Sequence, residues 1–344
     1  MKRIPQLDGL RGIAVLMVFA YHALHVPLLW AGVDLFFVLS GYLITGILLR
    51  LREEHDTPGY WSAFYFRRLL RIAPPYLGLI VILTVLFPIP WHHLWYWYAF
   101  FGANLASALG KCSVHAMTPL WSLAVEEQFY FVWPWVVLLS KRRMLRKVAL
   151  GIMIGAPILR AVFTPLLSSR EPIYDLTPFR ADSLACGAFI AICACGDAEW
   201  IHRWRGWAVF SLIAAALLLA GLSAFPSFRL NANTELFNTL GYSLIVIIFG
   251  STLVWALGMS NGFWRGLLAS RPLRYMGQIS YTFYLYQVAV MDKLAQHLRS
   301  RPEVVILAFV ITFLFSASSW HFFESQVLKL RLHQPAQNLK TGIA

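Results

Sequence analysis

The 344-residue sequence is 59% hydrophobic and only 13% charged, and its mean hydropathy is +0.62. Soluble domains carry about 25% charged residues, so this composition excludes an ordinary cytosolic enzyme. The formal net charge of +13 would suggest nucleic-acid binding in a soluble protein, but here the basic residues lie in short segments between apolar runs. That pattern is typical of membrane topology, and no nucleic-acid partner is predicted.

Apolar runs of about 20 residues, the length needed for a membrane-spanning helix, recur along the whole sequence. Ten such spans are predicted, at residues 12–30, 33–50, 74–90, 119–140, 148–167, 181–196, 207–225, 236–258, 275–292 and 304–324. The predicted fold class is therefore an all-α polytopic integral membrane protein with about ten transmembrane helices.

The segment 93–109 is a candidate for an eleventh span, but it is short. It contains four successive aromatic residues at 95–98, which is typical of a membrane interface. Counting it as a span would also move the basic cluster at 141–147 to the outside, whereas Lys and Arg collect in cytoplasmic loops. The sequence therefore predicts ten spans with both termini in the cytoplasm.

The segments between the predicted spans indicate that the chain forms one domain. No segment between the spans is long enough to fold alone, so residues 1–344 form a single transmembrane domain without a separate soluble domain. No cleavage site follows the first apolar run, which we expect to be retained as a span.

The cysteines lack the spacing of metal or redox sites. We therefore expect them to be small packing residues, with neither a metal site nor a disulfide. They are Cys112, Cys186, Cys193 and Cys195.

Ionisable residues inside a membrane are costly and commonly mark a functional site. His22 lies midway along the first predicted span, and Arg11 lies at its cytoplasmic start. Eleven residues of helix return to nearly the same face, which places the two about 16 Å apart. Imidazole is suited to general-base catalysis near neutral pH, so His22 is the candidate base. The alternative is a histidine that is hydrogen-bonded to a neighbouring helix.

Asp34 opens the second predicted span, and the small residues Ser40 and Gly41 follow it. The Asp34 carboxylate either contacts a substrate or is stabilised by the dipole at the start of a helix. Ser40 and Gly41 allow the close approach of a ligand or, more commonly, of another helix.

Three arginines, Arg67, Arg68 and Arg71, lie at the predicted cytoplasmic start of the third span. If this segment is helical, Arg68 and Arg71 are neighbours at i and i+3. Together they would form a fork suited to the phosphates of a nucleotide-bearing donor. The alternative is that these arginines only anchor the span on its cytoplasmic side.

Charged residues also fall in the fourth and sixth predicted spans. Glu126 and Glu127 are adjacent and point about 100° apart on a helix, so at least one is expected to orient a base or bind a hydroxylated substrate. Arg180 and Asp182 lie at the outer start of the sixth span. They are expected either to pair with each other or to bind a polar ligand.

These motifs, in this order along the chain, resemble those of the acyltransferase family 3 membrane O-acyltransferases. The resemblance covers nearly the whole chain. The matching segments are 7–12 (LDGLRG) with the Arg11 to His22 spacing, 34–43, 67–76, 121–130 (WSLAVEEQFY), 180–184 (RADSL) and 277–286 (GQISYTFYLY).

This resemblance implies transfer of an acyl group, most often acetyl, from cytoplasmic acyl-CoA to a hydroxyl of a carbohydrate or related acceptor. Acyl-CoA would be a co-substrate, with no bound cofactor, and the protein would lie among the lipids of a bacterial plasma (inner) membrane. The positions that match Arg11 and His22 are the family's functional pair. The candidate catalytic residues are His22 and Glu126, and the candidate substrate- or donor-binding residues are Arg11, Asp34, Arg68, Arg71, Glu127, Arg180 and Asp182.

The sequence departs from the family pattern near its end. Gln287 stands where the family often has histidine, and Gln326 stands where proline usually follows Glu324. These differences weaken any role for the ninth and tenth predicted spans. No hydrolase-like extracytoplasmic domain is expected after the last span, so either a separate extracytoplasmic transferase is a partner or the acceptor is reached within the membrane.

Two other functions fit the residues less well. A secondary transporter would use His22, Glu126 and Glu127 as a proton relay, but such transporters usually show inverted repeats, and no internal repeat is evident. An unrelated membrane O-acyltransferase of the Asn/His type conflicts with the Arg11 to His22 motif. The acceptor is left open among polysaccharide, glycolipid, peptidoglycan and a macrolide-like molecule. The length of the acyl chain, the choice between direct transfer and an acyl-enzyme intermediate, and the oligomeric state are also left open.

Overall fold

A computed structural model of the protein describes residues 4–111, 114–167, 169, 171–197, 199–230 and 233–326. Cys112 lies outside these residues. So do both chain ends, for which the charge pattern predicts a cytoplasmic location.

Long helices dominate the described part of the chain. They are α1 (Pro5–Leu24), α2 (Gly32–Glu54), α3 (Thr57–Leu86), α4 (Leu120–Leu139), α5 (Arg142–Phe163), α6 (Thr177–Gly196), α7 (Trp200–Ser223), α8 (Tyr242–Leu257), α9 (Arg271–Ala295) and α10 (Arg301–Ser319). Shorter helical segments are Leu29–Ala31, Trp91–Ala99, Ala103–Ala108, His115–Met117, Glu171–Asp175 and Phe263–Leu268, and π-helical turns are Phe237–Gly241 and Trp320–Glu324. The described residues include no β-strand, which confirms the all-α prediction.

Each predicted span overlaps one of the long helices. In the part of the chain that the structure describes, seven helical segments are long and apolar enough to cross a membrane, which makes this a multi-pass integral membrane protein. They are Pro5–Leu24, Leu29–Glu54, Thr57–Leu86, Glu171–Gly196, Trp200–Ser223, Phe237–Leu257 and Arg301–Glu324. Helices α4, α5 and α9 are not among these seven segments. The count of ten spans and the orientation of the termini stay predictions.

Helix α1 ends earlier than the first predicted span. Its last residue is Leu24, and His25 follows in a left-handed conformation with a φ of 53°. Pro27 explains the early end, because proline lacks a backbone N–H and disfavours helical conformation in the residue before it. His22 consequently lies in the last turn of α1, so its predicted position midway along a span is wrong.

Helix α3 begins well before the third predicted span. Asp56 caps it, because its carboxylate accepts a hydrogen bond from the Gly59 backbone N–H at 3.0 Å. The helix then runs from Thr57 through the arginine cluster without a break. Arg68 and Arg71 are therefore i, i+3 neighbours, as predicted, but they lie inside α3 and not at its start.

The aromatic segment 93–109 does not form one helix. It is divided between the short helices Trp91–Ala99 and Ala103–Ala108, with Phe101 between them at a φ of 50°. At about 1.5 Å per residue, neither piece can cross a bilayer. This arrangement agrees with the prediction that the segment is not a span.

Glycines allow two pairs of helices to approach closely. Between α1 and α9, a Cβ atom at Gly277 would overlap the carbonyl oxygen of Asp8. Between α2 and α6, a Cβ atom at Gly41 would overlap the carbonyl oxygen of Leu184. Gly41 therefore allows helix packing, the commoner of its two predicted roles.

The packing of α2 against α6 can be tested at Gly187, where a Cβ atom would overlap the carbonyl oxygen of Val38. We expect Gly187→Ala to lower the free energy of unfolding by about 1–3 kcal/mol, because the two helices must move apart. The measurement is thermal unfolding of the purified protein in detergent. Gly221→Ala in α7 is the matched control, since nothing lies within 4 Å of a Cβ atom there. Equal unfolding temperatures for the two variants would contradict the close packing.

The cysteine predictions are confirmed in part. Cys186 and Cys193 are buried in α6, as expected for packing residues, whereas Cys195 is exposed. The prediction is wrong for Cys195 because this residue lies in the last turn of α6.

Candidate functional site

A cavity of about 220 Å³ lies among α1, α2, α3, α4 and α9. Its wall is mainly apolar, and its polar or charged lining residues are Arg11, Ser40, Arg68, Arg71, Ser122, Glu126, Tyr130, Ser280, Tyr281 and Tyr284. An apolar cavity with a few converging polar groups is the usual form of a small-molecule site. Four of the candidate residues, from three different motifs, therefore meet in one place: Arg11, Arg68, Arg71 and Glu126.

Glu126 is held in the cavity wall by hydrogen bonds and nearby charge. The Tyr130 hydroxyl, one turn further along α4, donates to Glu126 Oε2 at 3.2 Å. Ser40 Oγ of α2 lies 2.6 Å from the same hydroxyl. The guanidinium of Arg68 lies 5.3 Å from the centre of the Tyr130 ring, a cation–π contact. Three helices thus fix the Glu126 carboxylate close to a cation.

Arg11 reaches the cavity from α1. Its Nη2 donates to Ser280 Oγ of α9 at 3.3 Å. Its buried Nε has no hydrogen-bond partner among the described residues. A guanidinium with an unused N–H in a cavity wall is suited to bind an anionic or carbonyl oxygen.

Glu127 faces away from this cavity, which agrees with the predicted divergence of the two adjacent glutamates. It lines a separate groove of about 500 Å³. Arg68 lines both spaces and so lies between them. Glu127 Oε1 is buried without a hydrogen-bond partner in the described part of the chain.

Helices α1 and α9 run side by side in the same direction. Arg11 contacts Ser280 at one end of the pair. At the other end, the His22 ring is 6.2 Å from the His115 ring, centroid to centroid, and His115 is bonded to Asp292 of α9. Arg11 therefore contacts α9 directly, whereas His22 contacts His115, which is itself bonded to α9.

The cavity extends towards the His22 end through α4 and α9. Ser122 and Tyr284 line it there, with their hydroxyls 2.5 Å apart. The Tyr284 hydroxyl also donates to the carbonyl oxygen of Pro119 at 3.2 Å. Pro119 follows His115 by four residues, so this end of the cavity approaches the segment that contacts His22. His22 itself does not line the cavity.

The sequence analysis did not identify His115 and Asp292 as site residues. His115 Nδ1 lies 2.9 Å from Asp292 Oδ1 and 3.1 Å from Oδ2. The two residues are separated by 177 positions, and neither lies in a motif matched by the family resemblance. The only available signal was their position as polar residues beside predicted span ends.

Arg180 and Asp182 do not pair with each other, so one of the two predicted arrangements is wrong. Arg180 Nη2 binds Asp34 Oδ2 at 2.8 Å. Asp182 Oδ2 binds Nη2 of Arg160 at 2.7 Å. Residues two positions apart on a helix point in different directions. Arg180 and Asp182 therefore each bind a partner on another helix.

Arg180 is enclosed as well as paired. Its guanidinium lies 4.3 Å from the Tyr242 ring centre and 5.1 Å from that of Tyr174, and these π faces stabilise a desolvated cation. Asp34 also accepts a hydrogen bond from Ser183 Oγ at 2.9 Å. Asp34, Arg180 and Asp182 lie outside the cavity wall, and their predicted ligand-binding roles stay predictions.

The buried pair of Arg180 with Asp34 should stabilise the packing of α2 on α6. We expect Arg180→Met to lower the free energy of unfolding by about 3–5 kcal/mol, because it leaves the Asp34 carboxylate buried without its counter-charge. The double variant Asp34→Leu, Arg180→Met should recover part of that loss. Thermal unfolding in one detergent compares them, and equal losses for the single and double variants would contradict this prediction.

Comparison with known proteins reveals similarity along nearly the whole chain. The peptidoglycan O-acetyltransferase OatA of Listeria monocytogenes is 29% identical over 362 residues, covering 95% of this chain and 56% of the relative. YrhL of Bacillus subtilis is 30% identical, covering 94% of this chain and 55% of the relative. The Staphylococcus aureus protein SACOL0978 is 27% identical, with coverage of 96% and 58%. The chain thus spans slightly more than half the length of these relatives.

No solved structure matches the chain at a significant level. The family model described as an acyltransferase domain matches residues 4–321, which include the cavity, His22 and the buried ion pairs. With so much of its length matched, this chain belongs to acyltransferase family 3.

Proposed function

We propose that the chain is a membrane O-acetyltransferase that moves an acetyl group from cytoplasmic acyl-CoA to a carbohydrate hydroxyl across the bacterial plasma membrane. The observation that carries this proposal is the cavity of Arg11, Arg68, Arg71 and Glu126, which extends towards the His22 end of α1. The family membership supports the reaction class, and the name of the Listeria relative OatA supports peptidoglycan as the acceptor.

Arg68 and Arg71 are the donor-binding residues in this proposal. Both line the cavity, one helical turn apart on α3. Guanidinium groups bind phosphate oxygens through paired N–H donors, and CoA carries phosphates at one end of a long flexible arm. With its phosphates at these arginines, the arm would lie in the mainly apolar cavity and direct the thioester towards His22.

The distance along α1 fits such an arm. Arg11 and His22 are separated by eleven residues, or about 16 Å of helix. Arg11 would hold the arm or the thioester carbonyl through its unused Nε. Glu126 would keep the arginine cluster oriented and limit the repulsion among its cations.

His22 would act as general base in the transfer step. The acceptor O–H bond breaks as its oxygen attacks the thioester carbon, and His22 takes the proton. A C–O ester bond forms, the C–S bond breaks, and the thiolate leaves. An acyl-histidine intermediate is the alternative, in which His22 first forms the bond to the acyl carbon.

The sidedness of the proposal is supported by the positive-inside pattern, which predicts that the start of α1 is cytoplasmic and that His22 lies towards the opposite face. Peptidoglycan lies on that opposite face. An extracytoplasmic transferase, either a separate partner or a further domain, is a second route by which the acyl group would reach the acceptor.

The proposal is tested by acyl-CoA turnover of the purified protein in lipid nanodiscs. Acetyl-CoA and longer-chain donors are supplied with and without peptidoglycan fragments, and free thiol is measured. We expect thiol release that depends on the acceptor, together with acylated fragments by mass spectrometry. Intact thioester with every donor and acceptor, alongside proton or solute movement in vesicles, would support a transporter instead.

The donor-binding role of Arg68 predicts a specific kinetic change. We expect Arg68→Ala to raise the KM for acyl-CoA by about tenfold or more, because a charge-assisted hydrogen bond to phosphate contributes roughly 1.5–3 kcal/mol. Arg67→Ala is the matched control, since Arg67 neighbours Arg68 but does not line the cavity. Steady-state turnover against donor concentration measures both. Equal KM values for the two variants would exclude Arg68 from donor binding.

A further inference from the structure

The start of α9 forms a second polar groove that the reaction as described so far does not use. This groove has a volume of about 440 Å³. It is lined by residues from the first turns of α9: Arg271, Pro272, Arg274, Tyr275 and Gln278. Two guanidinium groups, one amide and one aromatic ring therefore face a common space.

This groove lies at the end of the molecule where the donor enters in the proposed function. A Cβ atom at Gly277 of α9 would overlap the carbonyl oxygen of Asp8, and one at Gly12 of α1 would overlap that of Leu273. The starts of α1 and α9 are therefore side by side. The start of α1 is predicted to be cytoplasmic, so the groove opens on the side that holds acyl-CoA.

One face of α9 connects the groove with the cavity. Arg274, Gln278 and Tyr281 follow each other at intervals of four and three residues, which places them on one face of the helix. Tyr281 lines the cavity, and its hydroxyl donates to the carbonyl oxygen of Ile72, the residue after Arg71, at 3.1 Å. Arg274 precedes Tyr281 by seven residues, or about 10 Å of helix. The groove therefore continues the cavity beyond its arginines, towards the donor side.

The two arginines of the groove have no carboxylate partner. No ion pair among the described residues includes Arg271 or Arg274. The Nε of Arg274 is buried without a hydrogen-bond partner in the same part of the chain. The two residues are neighbours at i and i+3 on the helix. Such a pair of guanidinium groups is suited to a phosphate, which accepts several N–H bonds at once.

Coenzyme A carries phosphate in two places. A diphosphate joins the flexible arm to the ribose, and a separate phosphate is attached to the ribose 3′ oxygen. The proposed function uses Arg68 and Arg71 for donor phosphates but assigns no site to the nucleoside. With the diphosphate at those arginines and the arm directed towards His22, the nucleoside extends the opposite way, towards the start of α9.

We propose that this groove binds the adenosine 3′-phosphate end of acyl-CoA, with Arg271 and Arg274 on the 3′-phosphate. This inference rests on the proposed acyl transfer. The Gln278 amide has the donor and the acceptor that pair with the edge of adenine. The Tyr275 ring, whose hydroxyl lies 3.3 Å from His321 Nε2, provides an aromatic surface for the base. Arg68 and Arg71 keep the diphosphate.

The first test compares two donors, acetyl-CoA and acetyl-dephospho-CoA, which differ only in the 3′-phosphate. In the nanodisc turnover assay, wild-type protein should have a KM about tenfold or more higher for acetyl-dephospho-CoA, because charge-assisted hydrogen bonds are lost. Arg274→Met should raise the KM for acetyl-CoA by a similar factor. It should change the KM for acetyl-dephospho-CoA much less, since the phosphate that Arg274 binds is already absent.

The matched control is Arg265→Ala in the neighbouring helix Phe263–Leu268. The Arg265 guanidinium donates to the Ser260 carbonyl and to the Asn261 side chain, and it does not line the groove. This variant should retain the wild-type KM for both donors. It shows whether the loss of any arginine near this rim weakens donor binding.

The second test measures binding without turnover. Adenosine 3′,5′-bisphosphate should raise the unfolding temperature of wild-type protein and of Arg265→Ala, and should have little effect on Arg274→Met. Adenosine 5′-phosphate, which lacks the 3′-phosphate, should stabilise all three proteins to a similar and smaller extent.

An anionic lipid headgroup is another source of phosphate at a membrane rim. The donor comparison is therefore made in nanodiscs of phosphatidylcholine alone and in nanodiscs that also contain phosphatidylglycerol. We expect the same preference for acetyl-CoA in both. An effect of Arg274→Met that requires phosphatidylglycerol and is equal for the two donors would assign the arginines to lipid and overturn the proposal.

Two further results would overturn it. One is an equal KM of wild-type protein for the two donors, and the other is a wild-type preference for acetyl-CoA in Arg274→Met. Failure of the proposed function is distinguishable from both, because wild-type protein would then release no thiol from either donor. The bisphosphate would still test the groove in that case, and its failure to stabilise wild-type protein would contradict the site.

Discussion

Replacing His22 by alanine should lower acceptor-dependent acyl transfer by about two to four orders of magnitude, the contribution usual for a general base. The fall should be in kcat, with the KM for acyl-CoA little changed, because the proposed donor phosphates bind at α3 and not at His22. Thiol release by purified protein in nanodiscs measures both constants. This is the largest effect that we expect from any single substitution.

The matched control for His22→Ala is His25→Ala. His25 is exposed and lies just beyond the end of α1, so its loss tests whether any imidazole at this rim suffices. Both variants should elute as monodisperse protein. Turnover of His22→Ala within tenfold of wild type would remove His22 as the base and leave the transfer step without an assigned proton acceptor.

The second large effect is expected at Arg11. Arg11→Met removes the guanidinium that contacts Ser280 and carries the unused Nε in the cavity wall. We expect kcat/KM for acyl-CoA to fall at least a hundredfold, because the change removes a charged donor from the path of the substrate. The measurement is the turnover assay, with donor binding followed separately by a fluorescent acyl-CoA.

Arg11→Lys separates charge from geometry. Lysine keeps the positive charge but lacks the planar set of donors of a guanidinium. If Arg11 binds the donor through directed hydrogen bonds, Arg11→Lys should be nearly as impaired as Arg11→Met. Full activity in Arg11→Lys would indicate that only the charge is needed, and full activity in Arg11→Met would contradict a role for Arg11 in the site.

Helical periodicity made part of this site readable from the sequence. Because α1 is continuous between residues 11 and 22, an eleven-residue spacing fixes both side chains on nearly the same face of the helix. The same reasoning holds for Arg68 with Arg71 and for the divergence of Glu126 from Glu127. In each case the relation is local, so the geometry of one helix determines it.

Contacts between distant segments could not be read in the same way. Arg180 is paired with Asp34, 146 residues away in sequence, and Asp182 with Arg160. His115 meets Asp292 across 177 residues. Which helices pack together depends on small-residue contacts such as Gly277 against α1, and a single sequence does not specify those partners.

Helix ends were the weaker part of the sequence-based prediction. The first predicted span continued past Pro27 because hydropathy remained high, although proline favours a helix end before it. The third predicted span began too late because the charged residues Arg67, Arg68 and Arg71 separate residues 57–66 from the apolar run that follows. Both errors concern candidate site residues: they placed His22 too far from a helix end and Arg68 too close to one.

The most direct test of transmembrane acyl transfer uses proteoliposomes with the protein in one orientation. Acetyl-CoA labelled in the acetyl group is added to the side that carries the start of α1, and peptidoglycan fragments are added to the other side. We predict labelled ester on the fragments, free thiol on the donor side, and neither product in His22→Ala. Label that crosses only as free acetate or intact acetyl-CoA, or fragments acylated only on the donor side, would contradict the account.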